Sequence, residues 1–507
     1  MYNEPLIQQT INKLRKVTEN YESLIFEKIG ELDSPMYLIT KNHLRKPPTE
    51  GLSKLTVPLD WGGYEKNLWI TGTYTVKEPG KKLYAVSHAG GWEEMFFLNG
   101  KPYGIFSWKY TDCCGGVHDA AFICDSAEPG TVFELAFECY SGHFNKGIDR
   151  FSSAPAPVPD EKDSEVAAVC NGVDICVMNE EVNELVRDLY ELISLTDILE
   201  DNNMMKYRAR RALTDIAGTL KMCPQHYEKS VWLESVRESL KITRPLFSSQ
   251  GSRIFGKVGL IGHSHMDSAW LWEYKETIRK CARTFSNAMS LMDQFPAYKF
   301  IQSSVLHCEW MKKYYPDVFE EMKKKSAEGR YIIDGGAYVE CDCNLTSGEF
   351  MIRQFLEGQW FTRENFGITA ESFWLPDTFG YNANMPQLMK GCGLKYFFTQ
   401  KLYGVEIDGV NFESFRWRGI DNSEVFCHYP CGGIIGNCRS VHNATAEIKH
   451  KDSGDMHLLA FGQGDGGGGP TRAGLEAIER AMRCEGLPES EYTTLSDFME
   501  DLIEEYG

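Results

Sequence analysis

The sequence predicts an α/β protein whose second half is a parallel sheet or barrel, preceded by an antiparallel β-sandwich and a helical segment. Three hydrophobic periods predict it. Between about Pro35 and His143, short segments such as Asn67–Val76 alternate apolar and polar residues, and turn pairs such as Asn99-Gly100 separate them. From Glu180 to about Ile242 the spacing is helical. From about Ile254 onward strand-like and helix-like runs alternate, the pattern of βα units.

In chain order, Leu6, Ile7, Ile11, Leu14 and Val17 space a helix from Glu4 to about Leu32. The proline-rich run Ala154–Pro159 reads as a long loop within the sandwich, with strand-like residues resuming near Val166. Val182, Leu185, Val186 and Leu189 form a packing stripe. Strands follow at Lys257–Ile261, Lys299–Gln302, Tyr331–Ile333, Ser372–Leu375, Tyr396–Thr399 and Leu458–Phe461, and Thr346 with Glu349 makes a capping box opening a helix to about Phe366. The expected division is an N-terminal helix over 1–34, a sandwich over 35–178, a helical segment over 179–250 and an α/β catalytic domain over 251–507. In such folds the chemistry sits at the C-terminal edge of the strands.

Length and composition agree. A chain of 507 residues calls for two or three domains, and 42% hydrophobic residues supply their cores. The net charge of −19 argues against nucleic acid or an anionic membrane as partner. The 16 cysteines include no C-x-x-C pair, so reduced thiols in a cytoplasmic protein are expected. Residues 1–20 show no apolar signal region, and no run is long and apolar enough to span a membrane.

Three runs could carry chemistry. In Gly262–Trp272, His265 and Asp267 project the same way from an extended segment and could grip a metal ion, as could His263 and His265; both pairs are in play, against a plain helix cap. Asp377 leaves a strongly apolar strand directly into a turn, a costly place for a charge without a metal or substrate, its bland alternative being a cap for the helix near Met385. Asp465 follows a strand and precedes four glycines that let the backbone approach a ligand; a phosphate loop is rejected because no Lys-Ser/Thr follows. Glu340, Asp342 and Lys401 also fall near strand ends and read, each alone, as hydrogen-bonded structural residues.

Four runs, H-S-H-M-D-S-A-W-L-W, W-L-P-D-T-F-G-Y-N-A-N-M-P, G-C-G-L-K-Y-F-F-T-Q-K-L and F-G-Q-G-D-G-G-G-G-P-T, resemble in order the retaining α-mannosidases of glycoside hydrolase family 38, in particular the cytosolic and bacterial branch. The resemblance covers about residues 257–475, and more weakly 35–250. It implies a seven-stranded α/β barrel carrying one Zn2+ or similar divalent cation such as Co2+. His265 and Asp267 would be metal ligands, Asp377 the nucleophile and a third ligand, and Asp465 the general acid/base. Trp270 and Phe379 would line a mannose subsite and Lys401 would stand beside it, the substrate being a mannose-containing oligosaccharide. Tyr403-Gly404-Val405, Tyr338 and Glu273 depart from the family pattern.

Family members continue through a helical segment whose His-Asp pair supplies a fourth ligand, and then through β-domains. This sequence ends at Gly507 with no histidine after His457, so it is expected to be an N-terminal half with weak zinc binding and little activity, completed by a downstream polypeptide and prone to associate with further copies. The alternatives are a metal-dependent deacetylase or amidohydrolase, and an inactive or merely sugar-binding fragment.

Overall fold

The computed structural model describes residues 4–107, 117–142, 167–270, 272–402, 412–430, 435–449, 451–452, 454–464 and 466–506. The first helix spans Glu4–Glu22 and buries Ile11, Leu14 and Val17 on one stripe. It stops well short of Leu32. Phe26–Glu31 is instead a strand paired antiparallel with Val173–Met178; Phe26, Ile29 and Leu32 keep a helical spacing, and the ladder, with a register shift between Lys28 and Gly30, overrides it.

Two larger antiparallel sheets follow, beside a two-stranded ladder of Leu59–Gly62 with Ala167–Cys170. One has six strands in the order Ser53–Lys54, Asp33–Thr40, Asn67–Thr75, Val132–Tyr140, Glu93–Leu98 and Lys101–Ser107. The other has four, Phe26–Glu31, Val173–Met178, Leu83–Ser87 and Ala121–Cys124. Inward residues of both, among them Leu68, Ile70, Phe96 and Phe137 from the first and Leu83, Ala85, Ile123 and Ile175 from the second, share one apolar cluster. The opposite face of the six-stranded sheet, through Trp69, Met95, Phe97 and Ala136, joins the main core. The proline-rich run 154–159 and Val166 lie outside the described residues.

Helices Glu180–Ile198, Met204–Thr219 and Lys229–Thr243 come next, and Val182, Leu185, Val186 and Leu189 are all fully buried. Asn179 caps the first of them by accepting from the Val182 amide. The main core runs continuously from these helices into the parallel region.

That region begins with the strand Ser252–Gly262. Parallel ladders join it to Phe300–Gln302 and on to Tyr331–Ile333, and its other neighbours are Met456–Phe461 and Pro488–Tyr492, a strand with no counterpart in the expected list. A second sheet runs Ser372–Trp374, Tyr396–Phe398 and Glu424–His428 in parallel, with Ser414–Arg418 added antiparallel. The sheets meet twice. Gly335 bridges to Phe373 while buried Asp334 accepts from the Ser372 amide at 3.3 Å, and the Leu458 amide donates to His428 Nε2 at 3.2 Å. Ile261, Ile301, Trp374, Phe398, Leu458 and Ala460, from five strands of the two sheets, pack in one cluster closed by Leu495 and Phe498 of the helix Leu495–Tyr506.

Two local expectations change. The helix Gly348–Phe366 is capped by Ser347, whose side chain accepts from the Phe350 amide; Thr346 donates instead to the Asp342 carbonyl, and Glu349 pairs with Arg353 at 2.8 Å. The short helix Met385–Gly391 is preceded by Asn384 and owes nothing to Asp377. Every described cysteine is a free thiol, and no described helix is long and apolar enough to cross a membrane.

Candidate active site and metal centre

Loops at the C-terminal ends of four parallel strands build the site. The first, after Ser252–Gly262, is tied down when the His263 amide donates to the Phe461 carbonyl at 2.8 Å. His263 itself turns away. Its Nε2 accepts from the Trp374 indole at 3.2 Å, which occupies that lone pair, and burial depresses its pKa to about 3. Of the two overlapping histidine pairs, His265 and Asp267 is the one that the structure brings together with a third donor, Asp377.

His265, Asp267 and Asp377 each offer a donor atom within 4.8 Å of the others. His265 Nε2 lies 3.5 Å from Asp267 Oδ1 and 3.8 Å from Asp377 Oδ2. Two ligands held at ~2.0–2.2 Å by a tetrahedral zinc would be about 3.4 Å apart, so these separations suit one small cation. Neither His265 ring nitrogen makes a hydrogen bond among the described residues; a bound cation would satisfy Nε2, which faces Asp267 and Asp377, while Nδ1 faces Glu340. Burial alone would lower the pKa of this imidazole; the Glu340 and Asp267 carboxylates outweigh it and hold the pKa well above the ordinary value.

Asp377 reaches the triad across the junction of the two sheets. The Leu375 amide donates to the Phe398 carbonyl at 2.8 Å and the Gln400 amide to the Pro376 carbonyl at 3.1 Å. These bonds align the two loops and set Lys401 Nζ 2.5 Å from Asp377 Oδ1. Asp377 thus has one oxygen toward a lysine and the other toward His265. The exposed aromatics Trp270 (47%) and Phe379 (82%) stand on the same loops, just past Asp267 and Asp377. Trp270 packs edge-on against Trp272 at 5.6 Å.

Glu340 was legible only as a polar residue near a strand end. Its Oε1 lies 3.7 Å from His265 Nδ1, on the ring edge away from Asp267 and Asp377. The backbone brings it there. Cys343 bridges to Tyr381 and Thr378 Oγ1 donates to the Cys341 carbonyl at 3.4 Å, laying the Glu340 loop beside the Asp377 loop. No short-range spacing encodes that pairing. Asp342, by contrast, accepts from the amides of Asn344 and Leu345 at 2.8 and 2.6 Å and serves its own loop.

Asp465 lies outside the described residues. Beside its glycine neighbours the structure shows protein atoms packed close to the backbone. A Cβ on Gly467 would sit 2.6 Å from the Met266 methyl, and one on Gly468 would sit 2.5 Å from Gln463 Oε1, so the close approach is to the protein itself.

The family model that matches is the "Glycosyl hydrolases family 38 N-terminal domain", over residues 255–507. Among curated proteins, the chain is 35% identical over 326 residues to alpha-mannosidase 2C1 of Homo sapiens, covering 62% of this chain and 30% of that protein. It is 32% identical over 416 residues to alpha-mannosidase G of Dictyostelium discoideum, covering 81% and 36%. With the alpha-mannosidase of Saccharomyces cerevisiae the identity is 34% over 282 residues, covering 54% and 26%. The chain therefore spans about a third of the length of these relatives. Over residues 255–507 it belongs to the N-terminal domain family of glycosyl hydrolases family 38.

Proposed function

We propose that this chain is the catalytic N-terminal part of a retaining α-mannosidase that releases α-linked mannose from oligosaccharides with the help of a divalent cation. The observation that carries the reading is the meeting of His265, Asp267 and Asp377 from two separate sheets, within a segment belonging to a family of glycosidases. We further infer that the eight parallel strands of the two sheets close into an α/β barrel, where the resemblance implies seven, and that the two larger antiparallel sheets form the sandwich. Their shared clusters and the contacts joining the parallel sheets support this. The domain boundaries at residues 34, 178 and 250 belong to the same proposal, with the first strand already starting at Phe26. So does a cytoplasmic location.

In this reading His265, Asp267 and Asp377 would hold the cation, Zn2+ or Co2+. When bound, it supplies Lewis-acid polarisation of sugar hydroxyls. Asp377 attacks the anomeric carbon through a carboxylate oxygen, giving a glycosyl ester with inversion, and a water then hydrolyses that ester with a second inversion. Lys401, whose Nζ lies 2.5 Å from Asp377 Oδ1, fixes the orientation of that carboxylate. Asp465 protonates the leaving oxygen and later takes a proton from the water. Trp270 and Phe379 give the sugar's apolar faces a surface to stack on.

The test is trapping with a 5-fluoro-α-mannosyl fluoride in the presence of Zn2+, followed by peptide mass spectrometry. A mannosyl adduct on Asp377 is expected. Turnover of an aryl α-mannoside with an adduct elsewhere, or with none under trapping conditions, would remove Asp377 from the role and favour attack by water.

A further inference from the structure

Three consecutive carbonyls after Asp465 are each held by a side chain from a different place in the fold. Gly466 O accepts from Lys280 Nζ at 3.2 Å, Gly467 O from Thr284 Oγ1, and Gly468 O from His118 Nε2 at 2.8 Å. Lys280 and Thr284 are on the helix Tyr274–Gln294; His118 comes from the N-terminal antiparallel region, where its backbone bridges to Ser107. All three side chains are buried. Burial lowers the His118 pKa to about 4, which leaves a neutral ring whose Nε2 carries the hydrogen it donates.

The lysine is itself fixed from the other side of that boundary. Glu93, on a strand of the six-stranded sheet, contacts Lys280 at 2.7 Å and Arg283 at 3.0 Å, while Glu276 contacts Arg283 at 2.7 Å and Arg279 at 3.0 Å. Glu138 of the same sheet lies 3.2 Å from Arg279. These charges are almost fully desolvated, so their geometry is specified tightly and a displaced partner is costly. The stem of the loop is closed by a two-way backbone bridge between Gln463 and Gly469, both bonds 2.9 Å. Gly462 has no room for a Cβ, which would meet His263 O at 2.0 Å, so the loop is also seated directly on the segment that carries His265.

We propose that His118, Lys280 and Thr284 are positioning residues for the backbone that carries Asp465, so that the N-terminal antiparallel region takes part in assembling the active site. The inference rests on Asp465 being the general acid/base. His118 brings a neutral donor from the N-terminal antiparallel region to the last of the three carbonyls. A loop freed from that donor would carry its acid away from the leaving oxygen, and a displacement of 1 Å can cost on the order of 100-fold in rate.

The test compares His118→Ala, His118→Gln and Thr284→Val in the full chain with Zn2+ present. Hydrogen exchange read by mass spectrometry should quicken about tenfold in peptides covering residues 460–471 of His118→Ala and Thr284→Val, the equivalent of one lost hydrogen bond, with other peptides unchanged. His118→Gln, which keeps an N–H donor, should restore protection. In kinetics, His118→Ala should lose kcat/KM steeply on an α-mannoside with a poor leaving group, such as a methyl α-mannobioside, and far less on 2,4-dinitrophenyl α-mannoside, which needs no acid. Asp465→Ala is the reference. If Asp465→Ala slows both substrates equally, the acid/base reading fails. If Asp465→Ala discriminates between the substrates while His118→Ala does not, or if exchange at 460–471 is unchanged, the positioning role is overturned.

Discussion

Replacing Glu340 by Gln keeps the side chain's size and its acceptor oxygen and removes one charge beside His265 Nδ1. At 3.7 Å, two full unit charges in surroundings of effective dielectric about 20 interact by about 4.5 kcal/mol. That is a ceiling, because His265 binds a cation as neutral imidazole and presents Glu340 with only an N–H dipole. The remaining effect is that of a carboxylate orienting and polarising a ligating histidine, typically 10–100-fold in metal affinity, or about 1.4–2.7 kcal/mol. Glu340→Gln is therefore expected to weaken Zn2+ binding by that factor, measured by competition with a chromophoric chelator at pH 7. Asp342→Asn is the matched control on the same loop, since Asp342 serves only the amides of Asn344 and Leu345, and it should leave the affinity unchanged. Equal Zn2+ affinity in Glu340→Gln and the parent chain would refute the assignment of Glu340 to His265. A loss beyond about 1000-fold would refute it differently, by making Glu340 a direct ligand.

Other perturbations test the same geometry. His265→Ala should lower Zn2+ affinity by at least about 1000-fold whereas His263→Asn should keep it within tenfold, because only His265 faces the carboxylates; equal losses in a chelator titration would reopen the histidine choice. Since Glu340 and Asp267 keep the cation-free His265 protonated above its usual range, Zn2+ binding at pH 7 should release a proton and strengthen as pH rises, which calorimetry in buffers of different ionisation enthalpy would show; a proton count of zero contradicts it. Glu94 is fully buried, and desolvation raises its pKa to about 7 from 4.5. A raised carboxyl pKa means stability present below about pH 4.5 and lost as pH rises through 7, so Glu94→Gln should gain about 3 kcal/mol over the parent at pH 8.5 relative to pH 5, read from urea midpoints. A gap independent of pH would show that Glu94 is already ionised in the fold.

The parts of the molecule legible in the sequence are those whose signal is local. Period-two runs gave the antiparallel strands, and the apolar runs ending in His265, Asp377 and Lys401 gave three of the four strand ends that meet at the site. Where local signals overlapped, they misled. Phe26 and Ile29 fit a helix as well as a strand, and only the ladder to Val173–Met178 decides between them. Thr346 and Ser347 both satisfy a capping pattern, and the carbonyl of Asp342 draws Thr346 away. The glycines after Asp465 advertised open backbone, yet the space beside them is filled by Met266, Gln463, Lys280, Thr284 and His118. Glu340 showed locally only as a polar residue near a strand end, with nothing to point it at His265.

These failures share a cause that bears on how the site is held. His265 and Asp267 stand on one parallel sheet and Asp377 on the other, so the distances among them are set by the junction between sheets and not by either loop. That junction is narrow. Asp334 is buried, accepts from the amide and hydroxyl of Ser372, and neighbours the bridge from Gly335 to Phe373. Gly335 cannot yield, because a Cβ there would meet Ser303 O at 2.6 Å and its backbone lies at φ 157. Against the segment that carries His265, the glycine stem beside Asp465 rests on Lys280, which the antiparallel sheet fixes through Glu93. A sequence shows donors such as His265 and Asp377 through the strands that deliver them. It shows much less of Asp334, Glu340 and His118, whose contacts join one strand's loop to a segment far away in the chain.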